Sequence, residues 1–426
     1  MTGAVRLRAL AADLEGLVAA LPARRLRSDG ERRAAEAAVA ELRAARRRFL
    51  DRHAEAVYDR LTDGRTRRLR LPELVAAAQR HLPGVVPAAP ALAAERSLPL
   101  SERDGWEVDL GGFFGAILGS PAAGEHLIAT MRAPCPRAVE LIEGFRATGV
   151  ADLSTVTVAR ADGIAHLTIH NEGCLNAEDE QLADDMETAV DLVLTDPLSR
   201  VGVLRGGVMR HPRYRGRRVF SAGLNLTALR AGRISLVGFL LRRELTYVCK
   251  ILHGALTDGG GTAEKPWLAA VDGFAIGGGM QLLLVFDRVV AADDAYFSLP
   301  AAQEGIVPGA ANLRLTRAVG GRLARQLLLA GRRIAATEPA AALLCDEVVP
   351  ADAMDGAVAS AARLLDAPAV GANRRMLRVA EEPPDLLRRY LAEFAVLQAE
   401  RLYSADVHSR LEERERARQR RSTMSQ

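Results

Sequence analysis

Cysteine is scarce. The 426 residues hold four, Cys135, Cys174, Cys249 and Cys345, scattered and without a Cys-x-x-Cys pair. That excludes a disulfide-built scaffold, argues against a zinc site and predicts reduced thiols. No apolar run is long enough to span a bilayer. No signal-peptide pattern opens the chain, because Arg6 and Arg8 interrupt the N-terminal stretch and no long apolar core follows. Charge of one sign is also lacking. Fifty-seven Lys and Arg face 53 Asp and Glu, for a formal net charge of +4. Such a surplus does not by itself indicate nucleic acid, although it suits an anionic substrate. The absences predict a cytoplasmic protein with neither a membrane nor a nucleic-acid partner. What is abundant is apolar: 49% of the residues are hydrophobic, enough for two or three domains with ample core.

The first part of the chain carries no chemical motif. From Met1 to about Leu82 apolar residues recur at helical spacing, as in Leu7, Leu10, Leu14, Leu17 and Val18. The arginine-rich run Arg43–Phe49 admits two readings, a nucleic-acid contact or a solvated helix face. Interleaved acids and the lack of stacking aromatics favour the second. Pro83 to Pro99 is expected to be a loop or linker, and Asp109–Gly115 a loop with an aromatic plug. Helices are expected over Glu125–Arg132 and Pro136–Arg146. The expected division is a helical domain over 1–150, an α/β core over 151–350 and a helical region over 351–426.

The core opens with alternating stretches, Thr155–Ala159 and Ile164–His170, around Arg160-Ala-Asp-Gly163, a hairpin pattern. His166 and His170 lie four apart on a strand, about 13 Å by the usual rise, too far to share one metal ion. In Asn171–Asp179, Asn176 is a candidate N-cap with Asp179 at the capping-box position. Glu178 either points into a site or simply favours the helix N-terminus. Met209–Arg218 is a basic loop whose arginines suit phosphates, with His211 or Tyr214 able to cover an adenine. Ile234–Leu252 reads as an amphipathic helix interrupted by Arg242, Arg243 and Glu244. Gly254–Lys265 reads as a mobile loop.

Two glycine-bearing turns stand out. Phe-Ser-Ala-Gly-Leu-Asn-Leu226 ends one strand, and Val-Asp-Gly-Phe-Ala-Ile-Gly-Gly-Gly-Met-Gln281 passes from a second strand into a helix. Glycines entering a helix leave backbone N–H groups bare, so two such turns can aim two donors at one carbonyl oxygen. In order and spacing, the pair resembles the crotonase (enoyl-CoA hydratase/isomerase) superfamily, from about Ser154 to the C-terminus. The resemblance implies an α/β fold, a crotonase-like spiral ββα core, here with extra N-terminal and C-terminal helices. It implies oxyanion-hole N–H groups at Leu224 and Gly278. It also implies substrate contacts at Glu172, His211, Arg213 and Tyr214, at Ala222, Gly223 and Asn225, and at Gly277, Gly279, Gly309 and Val407.

The chain departs from the hydratase pattern at two positions. Hydratases of the superfamily carry one carboxylate where this chain has Gln281 and another where it has Ala301; Glu304 lies three residues further on. Neither Gln nor Ala exchanges a proton at neutral pH, so hydration is not expected. The remaining pattern is similar to one branch, the cofactor-independent arylacetyl-CoA dioxygenases of glycopeptide-antibiotic pathways. That branch implies 3,5-dihydroxyphenylacetyl-CoA and O₂ as substrates, no metal or organic cofactor, and a trimeric or hexameric homo-oligomer. It implies that Glu178, Arg243 and Gln281 grip the ring hydroxyls and that Leu224 and Val407 border an O₂ pocket. Two alternatives stay open: another acyl-CoA reaction (isomerisation, decarboxylation or thioester hydrolysis), and a non-enzymatic RNA-binding or scaffolding role.

Overall fold

The computed structural model describes residues 2–423. Seven helices come first: α1 (Thr2–Ala20), α2 (Asp29–Leu61), α3 (Leu71–His81), α4 (Ala89–Arg96), α5 (Glu107–Gly119), α6 (Pro121–Arg132) and α7 (Pro136–Thr148). Ser28 starts α2 with a reciprocal capping box to Glu31. Two loop expectations are overturned. The Ala-rich part of Pro83–Pro99 forms α4, with a proline in its first turn where the missing N–H costs nothing. Asp109–Gly115 lies inside the buried α5. Its glycines are there for close packing: a Cβ on Gly111 would sit 2.5 Å from Ala399 Cβ, and one on Gly115 2.6 Å from Val396 Cγ2. Both contacts come from the C-terminal helix α17 (Pro384–Leu402). The arginine-rich face of α2 is partly internal, since Arg43 and Arg46 both pair with Asp109 of α5.

The core is built on a seven-stranded sheet. Its strands are β1 (Val150–Asp152), β2 (Val156–Ala161), β3 (Ile164–Ile169), β4 (Val201–Gly206), β7 (Trp267–Val271), β9 (Arg288–Ala292) and β12 (Glu347–Val349), hydrogen-bonded in that order. The β2–β3 hairpin is antiparallel as expected, turning through Asp162 and Gly163 at positive φ. From β3 to β12 the strands run parallel. β7 is fully buried, as its unbroken apolar run requires. A second sheet orders β11 (Arg333–Ala335), β10 (Tyr296–Ser298) and β8 (Phe274–Ile276). β5 (Ala255–Leu256) and β6 (Thr262–Ala263) pair within the stretch expected to be a mobile loop.

Helices connect and cover the sheets: α8 (Glu180–Thr195), α9 (Leu226–Arg230), α10 (Leu241–Arg243), α11 (Cys249–His253), α12 (Gly278–Leu283), α13 (Ala301–Glu304) and α14 (Ala311–Leu328). Then come α15 (Met354–Leu365), α16 (Val370–Glu381), α17 and α18 (Ala405–Thr423). The α8 cap corrects the sequence expectation. Asp179 is the N-cap, accepting from Leu182 N–H, whereas buried Asn176 has positive φ and donates to Val219 O at 2.7 Å. One continuous apolar cluster runs from Leu7 to Leu411, so the N-terminal and C-terminal helices share a core with the sheet.

Candidate active site

The two glycine turns meet at the junction of the sheets. Phe220 N–H donates to Asp272 O, Ser221 N–H to Phe274 O, and Ile276 N–H back to Ser221 O, at 3.0, 3.1 and 3.0 Å. This ladder sets the turns side by side. Gly223 has φ +80, and a Cβ there would fall 2.6 Å from Ile276 O, so only glycine fits. Gly277, at φ +52, donates to Ser298 O at 2.8 Å. Glu178 N–H donates to Gly223 O and Asn225 N–H to Glu178 O, which leaves Leu224 N–H turned away from that ladder. Among the described residues neither Leu224 N–H nor Gly278 N–H donates a hydrogen bond. Buried or half-buried N–H groups are normally paired, so two adjacent free ones form a ready acceptor site for an oxyanion.

Arg243 lies beneath this pair, buried, with every N–H committed. Nε and Nη2 donate to Glu178 Oε1 at 3.2 and 3.1 Å, Nη1 to Glu244 Oε1 at 2.6 Å and Gln281 Oε1 at 3.1 Å, and Nη2 to Gly278 O at 2.8 Å. Burial pulls the guanidinium pKa down, but Glu178, Tyr247 and Glu244 more than offset it, and Arg243 stays firmly charged. Tyr247 OH adds a third hydrogen bond to Glu178 Oε1 at 3.2 Å, and burial holds its phenol well above the ordinary range. Glu178 Oε2 has no hydrogen-bond partner among the described residues and abuts Gly278, where a Cβ would lie 1.7 Å away. In this structure all five Arg243 donors are bound to protein acceptors, and the guanidinium lines the cavity.

The backbone explains how consecutive Arg243 and Glu244 both face inward. The stretch expected to be an amphipathic helix is π-helical over Leu236–Leu240 and again over Glu244–Val248. The wider π turn rotates the helix face and recurs at functional sites. Thr246, off helical geometry, returns its hydroxyl to Arg242 O at 2.8 Å.

These groups line a cavity of about 460 Å³. Glu178, Arg243, Glu244 and Gln281 form its polar end, Leu226, Phe239, Leu240 and Phe394 its apolar wall, and Ala222, Leu224, Gly277, Gly278 and Gly309 part of its rim. Gln281 Nε2 makes no hydrogen bond among the described residues, so it is a free donor. Ala301 lines the cavity without offering a polar atom, and Glu304 at the mouth is paired with Arg414. Burial raises the Glu304 carboxyl, with Arg414 opposing. Several expected contacts stand elsewhere. Val407 is buried with Cγ2 against Gly305, between the cavity-lining Glu304 and Ile306, and does not itself line the cavity. Glu172 pairs with Arg210 at 2.8 Å. Asn225 caps α9, and Gly279 packs on Ser221. His211, Arg213 and Tyr214 sit in a short turn outside the cavity, where Arg213 covers Tyr214 and Tyr214 meets Phe274 edge-on. Sequence reading overlooked Glu244 and Tyr247 as site residues. The available signal was a charged pair within an apolar helix, which burial obliges to find partners.

Among the described residues one cluster has metal-ligand spacing, Cys135, Glu187 and Asp191. Lys250 Nζ already occupies it, at 3.1 Å from Glu187 and 2.7 Å from Asp191. Burial raises the Glu187 carboxyl, but Lys250, Arg70 and Arg242 bring it down to about 2.

Comparison with known proteins agrees with this geometry. The family model described as enoyl-CoA hydratase/isomerase matches residues 159–380. The chain is 59% identical over 397 residues to the (3,5-dihydroxyphenyl)acetyl-CoA 1,2-dioxygenase of Amycolatopsis orientalis, covering 92% of each chain. It is 30% identical over 201 residues to the 2,3-dehydroadipyl-CoA hydratase of Escherichia coli K12, covering 47% of this chain and 71% of that one. An enoyl-CoA hydratase structure from Mycobacterium avium subsp. paratuberculosis K-10 superposes with a TM-score of 0.51 at 26% identity, covering 61% of this chain and 99% of that one. With paired glycine turns at the junction of two sheets and a matched family model, the chain belongs to the enoyl-CoA hydratase/isomerase family, the crotonase superfamily.

Proposed function

We propose that this chain is a (3,5-dihydroxyphenyl)acetyl-CoA 1,2-dioxygenase that works without a metal or organic cofactor. The likeness to the Amycolatopsis orientalis enzyme carries the reading, because it extends across the N-terminal helices as well as the core. The site chemistry supports it. The Leu224 and Gly278 N–H groups receive the thioester oxygen and stabilise the enolate formed when a benzylic α-proton leaves. Glu178 Oε2, uncommitted and beside Gly278, is the carboxylate oxygen placed to take that proton. Gln281 Nε2 orients the ring. Arg213 and Arg215, which form no ion pair among the described residues, receive the CoA phosphates outside the cavity.

The reaction balances without another redox partner. The enolate carbon gives electrons to O₂ and forms a Cα–O bond. The peroxide's outer oxygen attacks the thioester carbonyl and expels CoA thiolate. Loss of the second α-proton with O–O cleavage leaves an arylglyoxylate, one new oxygen in the keto group and one in the carboxylate. We place the enzyme in a trimer or hexamer of identical chains. The test is turnover of (3,5-dihydroxyphenyl)acetyl-CoA under ¹⁸O₂ in the presence of EDTA. Both labelled atoms are expected in the product, with activity retained. A carboxylate oxygen drawn from water would mean separate oxidation and hydrolysis, and loss of activity restored by one metal would end the cofactor-free reading.

A further inference from the structure

Arg243 is the inner end of a buried chain of charges. Glu178 binds it at 3.1 Å and Glu244 at 2.6 Å; Arg314 Nη1 lies 3.8 Å from Glu244 Oε2; Glu382 binds Arg314 at 2.8 Å and His253 at 2.8 Å. Glu244 is the link through which the cavity meets the rest. Its Oε1 takes Arg243 Nη1, and its Oε2 takes Ala310 N–H at 3.0 Å. The neighbouring turn closes on the same carboxylate: a Cβ on Gly309 would fall 2.1 Å from Glu244 Oε1 and 2.8 Å from Gln281 Oε1. Tyr390 OH holds that turn from outside, donating to Gly309 O at 2.6 Å.

Charge bookkeeping separates stability from geometry. Three carboxylates, Glu178, Glu244 and Glu382, face two guanidiniums, Arg243 and Arg314. His253 adds no cation at neutral pH, since burial lowers its pKa despite its Glu382 partner. The chain therefore buries one more negative than positive charge, which desolvation penalises. Removing the charge of Glu244 balances the set. Its retention is then accounted for by what it orients.

We propose that Glu244 is a positioning residue of the reaction. It fixes the plane of the Arg243 guanidinium against the Gly309–Ala310 turn. Through Arg243 it aims the free Oε2 of Glu178 at the substrate α-carbon and holds Gln281 by its carbonyl, leaving the amide N–H groups for the ring. This rests on the proton-acceptor role given to Glu178 above.

The experiment compares wild type, Glu244→Gln and Glu244→Asp as full chains with (3,5-dihydroxyphenyl)acetyl-CoA. Three quantities are read: O₂ uptake, α-hydrogen exchange in D₂O without O₂, and thermal midpoint. In Glu244→Gln, kcat and exchange should fall together by roughly 10²-fold, the scale of an ångström misplacement. KM should stay within about threefold, and Tm should fall by only a few degrees, because the Gln amide must turn an N–H toward Arg243 or Ala310 while the charge set becomes balanced. Glu244→Asp keeps the charge but cannot span Arg243 and Ala310, and should recover only part of the exchange. Exchange and kcat in Glu244→Gln within about threefold of wild type would overturn the proposal. So would a loss explained wholly by a lower Tm. Wild-type exchange without O₂ uptake would overturn the dioxygenase reading and leave the role of Glu244 standing.

Discussion

Replacing Gly278 with alanine separates the oxyanion turn's chemistry from its fold. The added Cβ would lie 1.7 Å from Glu178 Oε2, 2.8 Å from Glu178 Cδ and 3.4 Å from Arg243 Nη2. A carbon–oxygen contact needs more than 3 Å, so the Glu178 carboxylate must retreat by well over an ångström. In doing so it strains hydrogen bonds to Arg243 and Tyr247. Overpacking of this kind costs about 1–3 kcal/mol of stability. An ångström of displacement at a reacting group costs about 10²-fold in rate, and a disabled oxyanion donor about 10²–10³-fold. Gly278→Ala should therefore fold, melt a few degrees lower, and lose about 10²–10³-fold in kcat. Gly277→Ala is the control. Its nearest contact is 3.5 Å, so it adds backbone strain at φ +52 without touching Glu178. An oxygen electrode and a thermal melt measure both variants. If Gly278→Ala kept more than about a tenth of wild-type kcat, the assignment of Glu178 Oε2 and the Gly278 donor to one reacting centre would be wrong.

Gln281→Ala should reduce turnover by loosening the ring, and Gln281→Glu should not hydrate crotonyl-CoA, since Ala301 still offers no second carboxylate; loss of the enoyl thioester's ultraviolet absorbance on water addition decides it, with hydration at rates typical of the family refuting the two-carboxylate argument. Glu95 is pushed from 4.5 up to about 7 by burial, with the N–H groups of Gly105 and Trp106 opposing. A raised native pKa means that the folded chain holds a proton the unfolded chain releases, so this contribution is complete below about pH 4.5 and lost as pH rises through 7, by up to about 3 kcal/mol. Urea titrations of Glu95→Gln should show a flatter fall in stability across that window, and a slope equal to wild type would refute the assignment.

Much of this site was legible because its two turns are local. Gly223 and the run Gly277–Gly279 announce bare N–H groups, and the ladder through Ser221, Phe274 and Ile276 joins them as adjacent-strand pairing allows. The β2–β3 hairpin was legible from alternation and an Asp-Gly turn for the same reason. Helix α5 was misread because glycine there answers to α17, almost 300 residues away, and not to its own turn. Asn176 was misread as a cap because its side chain bonds Val219 across the fold, leaving the capping to Asp179. Val407 was named by resemblance alone, since nothing local marks it; α18 packs it against Gly305, next to the cavity-lining Glu304 and Ile306.

Hydration was argued away from two missing carboxylates, yet the cavity is not short of acids. Glu178 and Glu244 enter from a loop and a π-helical stretch, and both are fastened to Arg243. Their placement depends on Arg243 and Glu244 facing inward together, which an ordinary α-helical reading of Ile234–Leu252 does not allow. The difference bears on chemistry. Two free carboxylates across an enoyl group can activate water and deliver a proton to the neighbouring carbon. Two carboxylates tied to one guanidinium leave a single free oxygen, Glu178 Oε2, beside the oxyanion donors. On the proposed reading that oxygen removes the α-proton, and among the described residues no second free carboxylate oxygen stands beside the oxyanion donors to hold a nucleophilic water. An enolate formed there is stabilised, sheltered by Phe239, Leu240 and Phe394, and left to react with whatever small apolar electrophile enters the cavity. O₂ meets that description, and water does not.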